Sequence, residues 1–212
     1  MKENEFYQEL KKLGIILTNK QKSQLEEFYQ LLIEANKKIN LTTITNKEDV
    51  YLKHFYDSLT LVKVIDLSKK ETLLDVGTGA GMPGIVLKIV FPNLKITLLD
   101  ARNKKILYLQ DIIKKLKLIN IEAKHLRIED LKIKYDVVVS RAVASLPKLL
   151  SYCLKNVQED GCFIAMKANL NNEIVNSKEI LKEAKFIIVK EENFKLPYEE
   201  STRNLIKFKK IL

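Results

Sequence analysis

Leu73-Leu74-Asp75-Val76-Gly77-Thr78-Gly79-Ala80-Gly81-Met82-Pro83-Gly84 is the stretch that decides the fold of this chain. A short apolar run enters a cluster of glycines, and a helix-forming segment, Gly84 to Phe91, follows. A buried strand that turns sharply into a helix reads this way. Glycine makes a tight turn at no steric cost and leaves no side chain between backbone and ligand. The helix start adds unpaired N–H groups and the positive end of a dipole. Pro83 stands where a first helical turn needs no N–H.

Outward from this loop the pattern recurs. Apolar runs at Ile96–Leu99 (ending at Asp100), Ile121–Lys124, Tyr135–Ser140 and Cys162–Lys167 alternate with helical stretches at Asn103–Leu118, Pro147–Val157 and Asn172–Ala184. Continuous apolar strands separated by helices predict a parallel sheet covered on both faces. Phe186–Val189 and Leu205–Ile211 read as strands with no helix between them, which predicts an antiparallel hairpin at the sheet edge. Before Thr72 the chain reads as helices. Thr18 to Gln21 is a capping box, and Leu25, Phe28, Leu32, Ala35 and Ile39 then form one helical face. A second box, Thr45 to Glu48, predicts a shorter helix towards His54. The expected architecture is α/β and Rossmann-like: a mostly parallel sheet with a C-terminal antiparallel hairpin over residues 69–212, preceded by a helical extension over residues 1–68.

The chain has 212 residues and is 46% hydrophobic, enough for one α/β unit with an added element. Its net charge of +10 favours polyanionic partners. The cations are mostly Lys in a chain also rich in Ile and Asn, a composition that an AT-rich genome gives without any partner. Cys153 and Cys162 form neither a metal spacing nor a disulfide framework. Met1 to Leu13 has no apolar signal region, and no run reaches the length of a membrane span. We read a reduced, soluble, cytoplasmic chain that needs no metal and no membrane, expected as a monomer.

Two cofactors fit the glycine loop. Gly79 to Gly84 matches the G-x-G-x-x-G fingerprint of dinucleotide sites, which implies an NAD-linked oxidoreductase. Gly77, Gly79 and Gly81 match the G-x-G-x-G loop of class I methyltransferases, two residues after an acidic group. The second reading is favoured. Asp75 at the strand end suits the cationic amino group of S-adenosyl-L-methionine and would repel a pyrophosphate. Asp100, at the end of the next strand, is placed to accept from ribose hydroxyls, or else caps the helix from Asn103. Ile128-Glu129-Asp130 is placed to meet adenine, or is simply an acidic helix start.

Four arginines occur, at 102, 127, 141 and 203. A chain that otherwise uses Lys keeps Arg where a planar fork matters. Arg141 falls just past a buried strand, where open α/β sheets bind ligands. Ser140-Arg141-Ala142-Val143 is not the (Asp/Asn)-Pro-Pro-(Tyr/Phe) motif used on exocyclic amines, and neither cysteine has the context of a pyrimidine nucleophile. A target such as guanine N7, which already carries a lone pair, needs neither device. Transfer would then rest on alignment alone.

Together these residues resemble the RsmG family, also called glucose-inhibited division protein B, bacterial 16S ribosomal RNA guanine-N7 methyltransferases. The resemblance runs through Asn36 with Asn40-Leu41-Thr42, His54-Phe55-Tyr56-Asp57-Ser58-Leu59, the glycine loop with Met82-Pro83-Gly84-Ile85, Ser140 to Leu146, Ala165-Met166-Lys167 and Arg203-Asn204-Leu205-Ile206. It implies a class I S-adenosylmethionine-dependent methyltransferase acting on one guanine of the decoding-region loop, as free 16S RNA, 30S subunit or assembly intermediate. It implies cofactor contacts at Gly77, Met82, Ile128, Glu129 and Arg141, with Asp100 towards the ribose and Asp75 and Gly79 in the loop. Asn40, His54, Asp57, Ser58, Lys167 and Arg203 are implied on the RNA side, and Arg141 and Lys167 at the reacting centre. His54 and Asp57 could instead be a hydrogen-bonded structural pair, and Lys167 a phosphate contact. Val86 departs from the family's frequent proline, and Ile128-Glu129-Asp130 from Ala-Glu-Glu or Val-Glu-Glu. A methyltransferase for another substrate and a non-catalytic RNA-binding protein are the remaining alternatives.

Overall fold

The computed structural model describes residues 1–141 and 143–211; Ala142, inside the Ser140–Leu146 segment, and Leu212 lie outside the described residues. One seven-stranded sheet contains β1 (Thr72–Val76), β2 (Lys95–Asp100), β3 (Ile121–His125), β4 (Tyr135–Arg141), β5 (Val157–Lys167), β6 (Phe186–Lys195) and β7 (Thr202–Lys210), in the order β3-β2-β1-β4-β5-β7-β6. The first five strands are parallel. β7 runs antiparallel between β5 and β6. The order reverses between β1 and β4, and connections that diverge at such a point leave a crevice at the carboxyl ends of the strands.

Helices α1 (Glu3–Lys12), α2 (Asn19–Asn36), α3 (Lys47–Val50) and α4 (Asp57–Leu59) precede the sheet, with a π-helical turn, Tyr51–Tyr56, between the last two. Within and after the sheet come α5 (Gly84–Val90), α6 (Asn103–Lys115), α7 (Leu146–Cys153) and α8 (Lys178–Ala184). The two-residue period of the strands divides the core. Leu73, Leu98, Val139 and Ile164 pack with α1, α2, α5 and α6, whereas Leu74, Leu99, Val138 and Phe163 pack with α7 and α8. Residues 1–68 therefore share a core with one face of the sheet. Phe6, Leu25, Phe28 and Leu32 are almost fully buried there, and each such side chain is worth roughly 1.5–3 kcal/mol of burial.

The first capping box forms: Thr18 Oγ1 accepts from Gln21 N at 3.2 Å, and Gln21 Oε1 accepts from Thr18 N at 2.9 Å. Gln21 Nε2 also donates to the Ile89 and Val90 carbonyls at 3.0 Å, tying α2 to the end of α5. The second box does not. Asn46 caps α3, its Oδ1 accepting from Glu48 N at 2.9 Å, because an Asx side chain reaches the N–H two residues on. Other boundaries shift as well. α7 stops at Cys153, α8 begins only at Lys178, and the hairpin strands are longer than their apolar cores. β6 continues through Lys190, Glu191 and Glu192, charged residues that an edge strand tolerates.

Candidate active site

A cavity of about 310 Å³ opens at the carboxyl ends of β1, β4 and β5. One wall is the glycine loop, with Gly77, Thr78, Gly79, Ala80 and Met82; the rest comes from Thr42, Lys53, His54, Asp57, Arg141, Lys167 and Arg203 with their neighbours. The loop is shaped by backbone that other residues resist. Gly77, Gly79 and Gly81 take φ of +69°, +60° and +96°. A Cβ on Gly77 would stand 2.5 Å from Val143 Cγ2, and one on Gly81 2.7 Å from Ile85 Cγ1. A Cβ on Gly79 would be in ordinary contact with Lys105 Nζ at 3.7 Å, so its positive φ, not crowding, is what favours glycine there. These residues fit a ligand that needs close backbone approach.

Asp75 lies beneath the loop and not in the cavity. It is fully buried; Oδ2 accepts from Thr78 Oγ1 at 2.7 Å and from Gly84 N at 2.9 Å, pinning both ends of the loop. Oδ1 is buried with no partner among the described residues. Burial pushes this carboxyl up to about 6, against the pull of the Thr78 and Gly84 bonds and the Arg141 charge. Asp100 anchors the loop from the next strand: Oδ2 accepts from Gly79 N at 3.1 Å and Oδ1 from Arg102 N at 2.9 Å.

The cationic half of the cavity is organised by Asp57. Its Oδ2 accepts from Arg141 Nη1 and its Oδ1 from Arg203 Nε, both at 3.1 Å, joining the helical extension to β4 and β7. Arg141 Nη1 also donates to the Lys53 carbonyl at 3.2 Å. His54 sits beside this cluster in the π-helical turn, a distortion common at functional sites. Its Nε2 lies 2.9 Å from Thr42 Oγ1, which already accepts from Ile44 N, and its Nδ1 lies 3.1 Å from the Lys53 carbonyl. A neutral ring protonated at Nδ1 satisfies both contacts. Burial and the Arg141 charge lower its pKa to about 4, so His54 is neutral at pH 7. Thr42 is held by Asn36, whose Oδ1 accepts from Leu41 N and Thr42 N and whose Nδ2 donates to the Thr42 carbonyl.

Lys167 is engaged on the opposite wall. Nζ pairs with Glu173 Oε2 at 2.6 Å and donates to the Ala144 carbonyl at 2.8 Å. Glu173 Oε2 also accepts from Leu146 N, at the start of α7. The pair thus fastens the segment after β4. Two of the three N–H donors of Lys167 are engaged within the protein.

Of the residues singled out from sequence, Gly77, Gly79, Met82, His54, Asp57, Arg141, Lys167 and Arg203 meet at this cavity. Asn40 lies in an adjoining cleft with Arg102 and Lys105. Ser58 is buried, its Oγ donating to the His54 carbonyl at 2.6 Å, a helical back-bond that keeps it out of the wall. Ile128 is buried in the cluster that holds Val76 and Leu99, the ends of β1 and β2. Glu129 is exposed beside it, its carbonyl accepting from Lys155 Nζ. His54 and Asp57 are not bonded to each other; both face Arg141. Sequence reasoning missed Lys53, which pairs with Asp49 and Glu199, and Asn204, which donates to the Ala168 carbonyl at 3.1 Å. Nothing local marks that Lys, whereas Asn204 follows Arg203 in a segment already noted. Both cysteines are buried away from the cavity, and burial pushes the Cys153 thiol up to about 12.

Comparison with known proteins bears on this arrangement. The family model described as GidB, rRNA small subunit methyltransferase G, matches residues 21–205. A ribosomal RNA small subunit methyltransferase G of Thermoanaerobacter sp. is 46% identical over 208 residues, covering 95% of this chain and 87% of that protein. The protein of that description from Halalkalibacterium halodurans is 43% identical over 217 residues, covering 99% and 91%. Among solved structures, the ribosomal protein L11 methylase of Lactobacillus delbrueckii subsp. bulgaricus aligns with a TM-score of 0.59 at 19% identity, over 79% of this chain and 81% of that one. M. jannaschii TYW2 in complex with AdoMet gives 0.53 at 19% identity, over 68% and 70%. At these identities the likeness shows the fold alone: the Rossmann-like sheet of class I methyltransferases with C-terminal antiparallel strands.

Proposed function

The chain belongs to the GidB family, the ribosomal RNA small subunit methyltransferases G, which depend on S-adenosylmethionine, and from that premise we propose that it methylates N7 of one guanine in the decoding-region loop of 16S ribosomal RNA. Bound S-adenosylmethionine supplies an electrophilic methyl group on a sulfonium. The residues that would hold it are the backbones of Gly77, Gly79 and Met82, with Arg141 beside them. Asp100 keeps acceptor capacity for ribose hydroxyls, since a carboxylate has about four lone-pair sites. We assign Ile128 and Glu129 to the adenine side. Asp75 acts as a positioning residue that fixes the loop from below.

The observation that carries the reading is that the titratable side chains on the cavity wall are already engaged. Asp57 is shared by two guanidiniums. Lys167 is paired with Glu173, and Lys53 with Asp49 and Glu199. His54 is neutral, with its ring nitrogens satisfied. Such a wall can align and desolvate a nucleophile but has no group poised to remove a proton. Guanine N7 has a free lone pair and needs no base. In this reading Arg141 is the residue at the reacting centre, and Lys167 acts through the segment it fastens. The test is the pH dependence of single-turnover transfer to unmodified small-subunit RNA. Without general-base catalysis the rate stays flat between about pH 7 and 8.5. A limb rising with pH would mean that a proton is removed and would point to another target atom.

A further inference from the structure

Two clefts flank the central cavity, and their chemistry differs. The first, about 440 Å³, shares Leu41 with the cavity and is lined by Lys38, Arg102, Lys104 and Lys105 around Asn40. Lys38, Arg102 and Lys104 are exposed. The second, about 520 Å³, shares Ala168, Arg203 and Asn204 with the cavity. Its lining holds Asn169, Asn171, Asn193 and Asn204 with Ser201 and Thr202, and no carboxylate among the described residues. The cation in that lining, Arg203, is held by Asp57 and the Thr202 carbonyl, with its charge shared with Asp57.

The amide groups of this second cleft are arranged. Asn193 Nδ2 donates to Asn204 Oδ1 at 2.7 Å, and Asn204 Nδ2 to the Ala168 carbonyl. Asn169 Oδ1 accepts from Asn171 N at 3.1 Å in a turn where Asn171 takes φ +41°. Asn169, Asn171 and Asn193 are exposed. Phosphates are bound by cations, and that binding carries the salt dependence. Base edges of unpaired nucleotides are read by groups that both donate and accept, as carboxamides do. On the premise that the substrate is RNA, we propose that a single strand crosses the carboxyl edge of the sheet. Its backbone phosphates lie in the Lys38–Lys105 cleft, its target base in the cavity, and the base edges of neighbouring nucleotides in the amide-lined cleft.

The experiment titrates full-length enzyme with an unmodified small-subunit RNA transcript at several salt concentrations. Two double variants are compared. Asn169→Ser/Asn171→Gly keeps a neutral turn acceptor and a residue suited to positive φ while removing both amides. We expect it to bind about tenfold more weakly with an unchanged salt slope, because amides release no counterions. It should also lose discrimination between transcripts altered at bases next to the target. Lys38→Ala/Lys104→Ala should lower the salt slope by about 1.4, roughly 0.7 for each single-strand phosphate that no longer meets a lysine. Calorimetry of S-adenosylmethionine binding shows that each variant is folded. Unchanged RNA affinity in the amide variant, or a salt slope that falls with it, overturns the assignment. Failure of the unaltered enzyme to methylate the transcript would instead overturn the proposed function.

Discussion

Asp57 Oδ2 accepts from Arg141 Nη1 at 3.1 Å, and because Asp57 also accepts from Arg203 Nε, one carboxylate from the helical extension sets two guanidiniums at the mouth of the sheet. The Asp57 side chain is 6% exposed and the arginines 17% and 18%. Asp57→Asn would leave two cations facing each other with no shared countercharge. Breaking a buried pair costs about 3–5 kcal/mol, and the partial exposure of the arginines trims this to roughly 2–3 kcal/mol. We expect a urea midpoint lowered accordingly, and transfer down about a hundredfold through misplacement of Arg141. A double-mutant cycle with Arg141→Lys should be strongly non-additive; additive losses would show that the two residues act separately.

Asp75→Asn should gain stability relative to the unaltered ligand-free protein as pH rises from 4 through 6. The native carboxyl titrates at about 6 against a normal 3.8 because it is buried with one unpartnered oxygen. The stability of its protonated form is complete below 3.8 and is lost as pH rises through about 6, so the ionised group costs roughly 3 kcal/mol above that. An amide oxygen can still accept from Thr78 and Gly84, while the amide NH2 in the place of the unpartnered Oδ1 offsets about 1–3 kcal/mol of the gain at every pH. The same variant should bind S-adenosylmethionine more weakly, since the loop would lose the charge beneath it. A stability difference between the two proteins that does not change from pH 4 to pH 8 would contradict the burial argument.

His54 gives the opposite dependence. Its pKa is lowered to about 4, so its contribution is present above the unfolded value of 6.5 and is lost as pH falls through about 4. Between pH 4 and 6 the His54 and Asp75 effects oppose each other, and the unaltered protein should show a shallow profile there. Asp75→Asn removes one side of that balance, so its stability should climb steeply with pH from 4 to 6.5. Unfolding measured across this window decides the matter.

Gly77→Ala tests the loop itself. The added methyl meets Val143 Cγ2 at 2.5 Å on backbone with φ +69°. We expect a loss of roughly 1–3 kcal/mol from the forced φ and at least tenfold weaker cofactor binding by calorimetry. An unchanged affinity would mean that the ligand does not depend on this wall.

The sheet was legible in the sequence because its inner strands β1, β2, β4 and β5 carry runs that are apolar on both faces, each followed by a turn or helix signal. The glycine loop was legible for the same local reason. Asn46 displacing Thr45 as a cap was not, since both residue types satisfy the same N–H groups. Nor was the π-helical turn at His54, where Phe55 stacks on Phe28 and His54 approaches Arg141, contacts between residues far apart in sequence that no periodicity marks. The roles within the site divide likewise. Arg141 could be placed at the mouth of the sheet from its strand, but its partner Asp57 lies 84 residues away and joins it only through the fold. Lys167 shows the converse: a lysine in a recognisable segment whose partner Glu173 no local pattern marks.

The most direct measurement is transfer of labelled methyl from S-adenosylmethionine to small-subunit ribosomal RNA lacking its own modification, with the labelled nucleotide mapped by the strand scission that N7-methylguanine permits. The account predicts label at one guanine N7 in the decoding-region loop, reduced about a hundredfold in Asp57→Asn by misplacement of Arg141. Label on an exocyclic amine, a ribose or a ring carbon would contradict it.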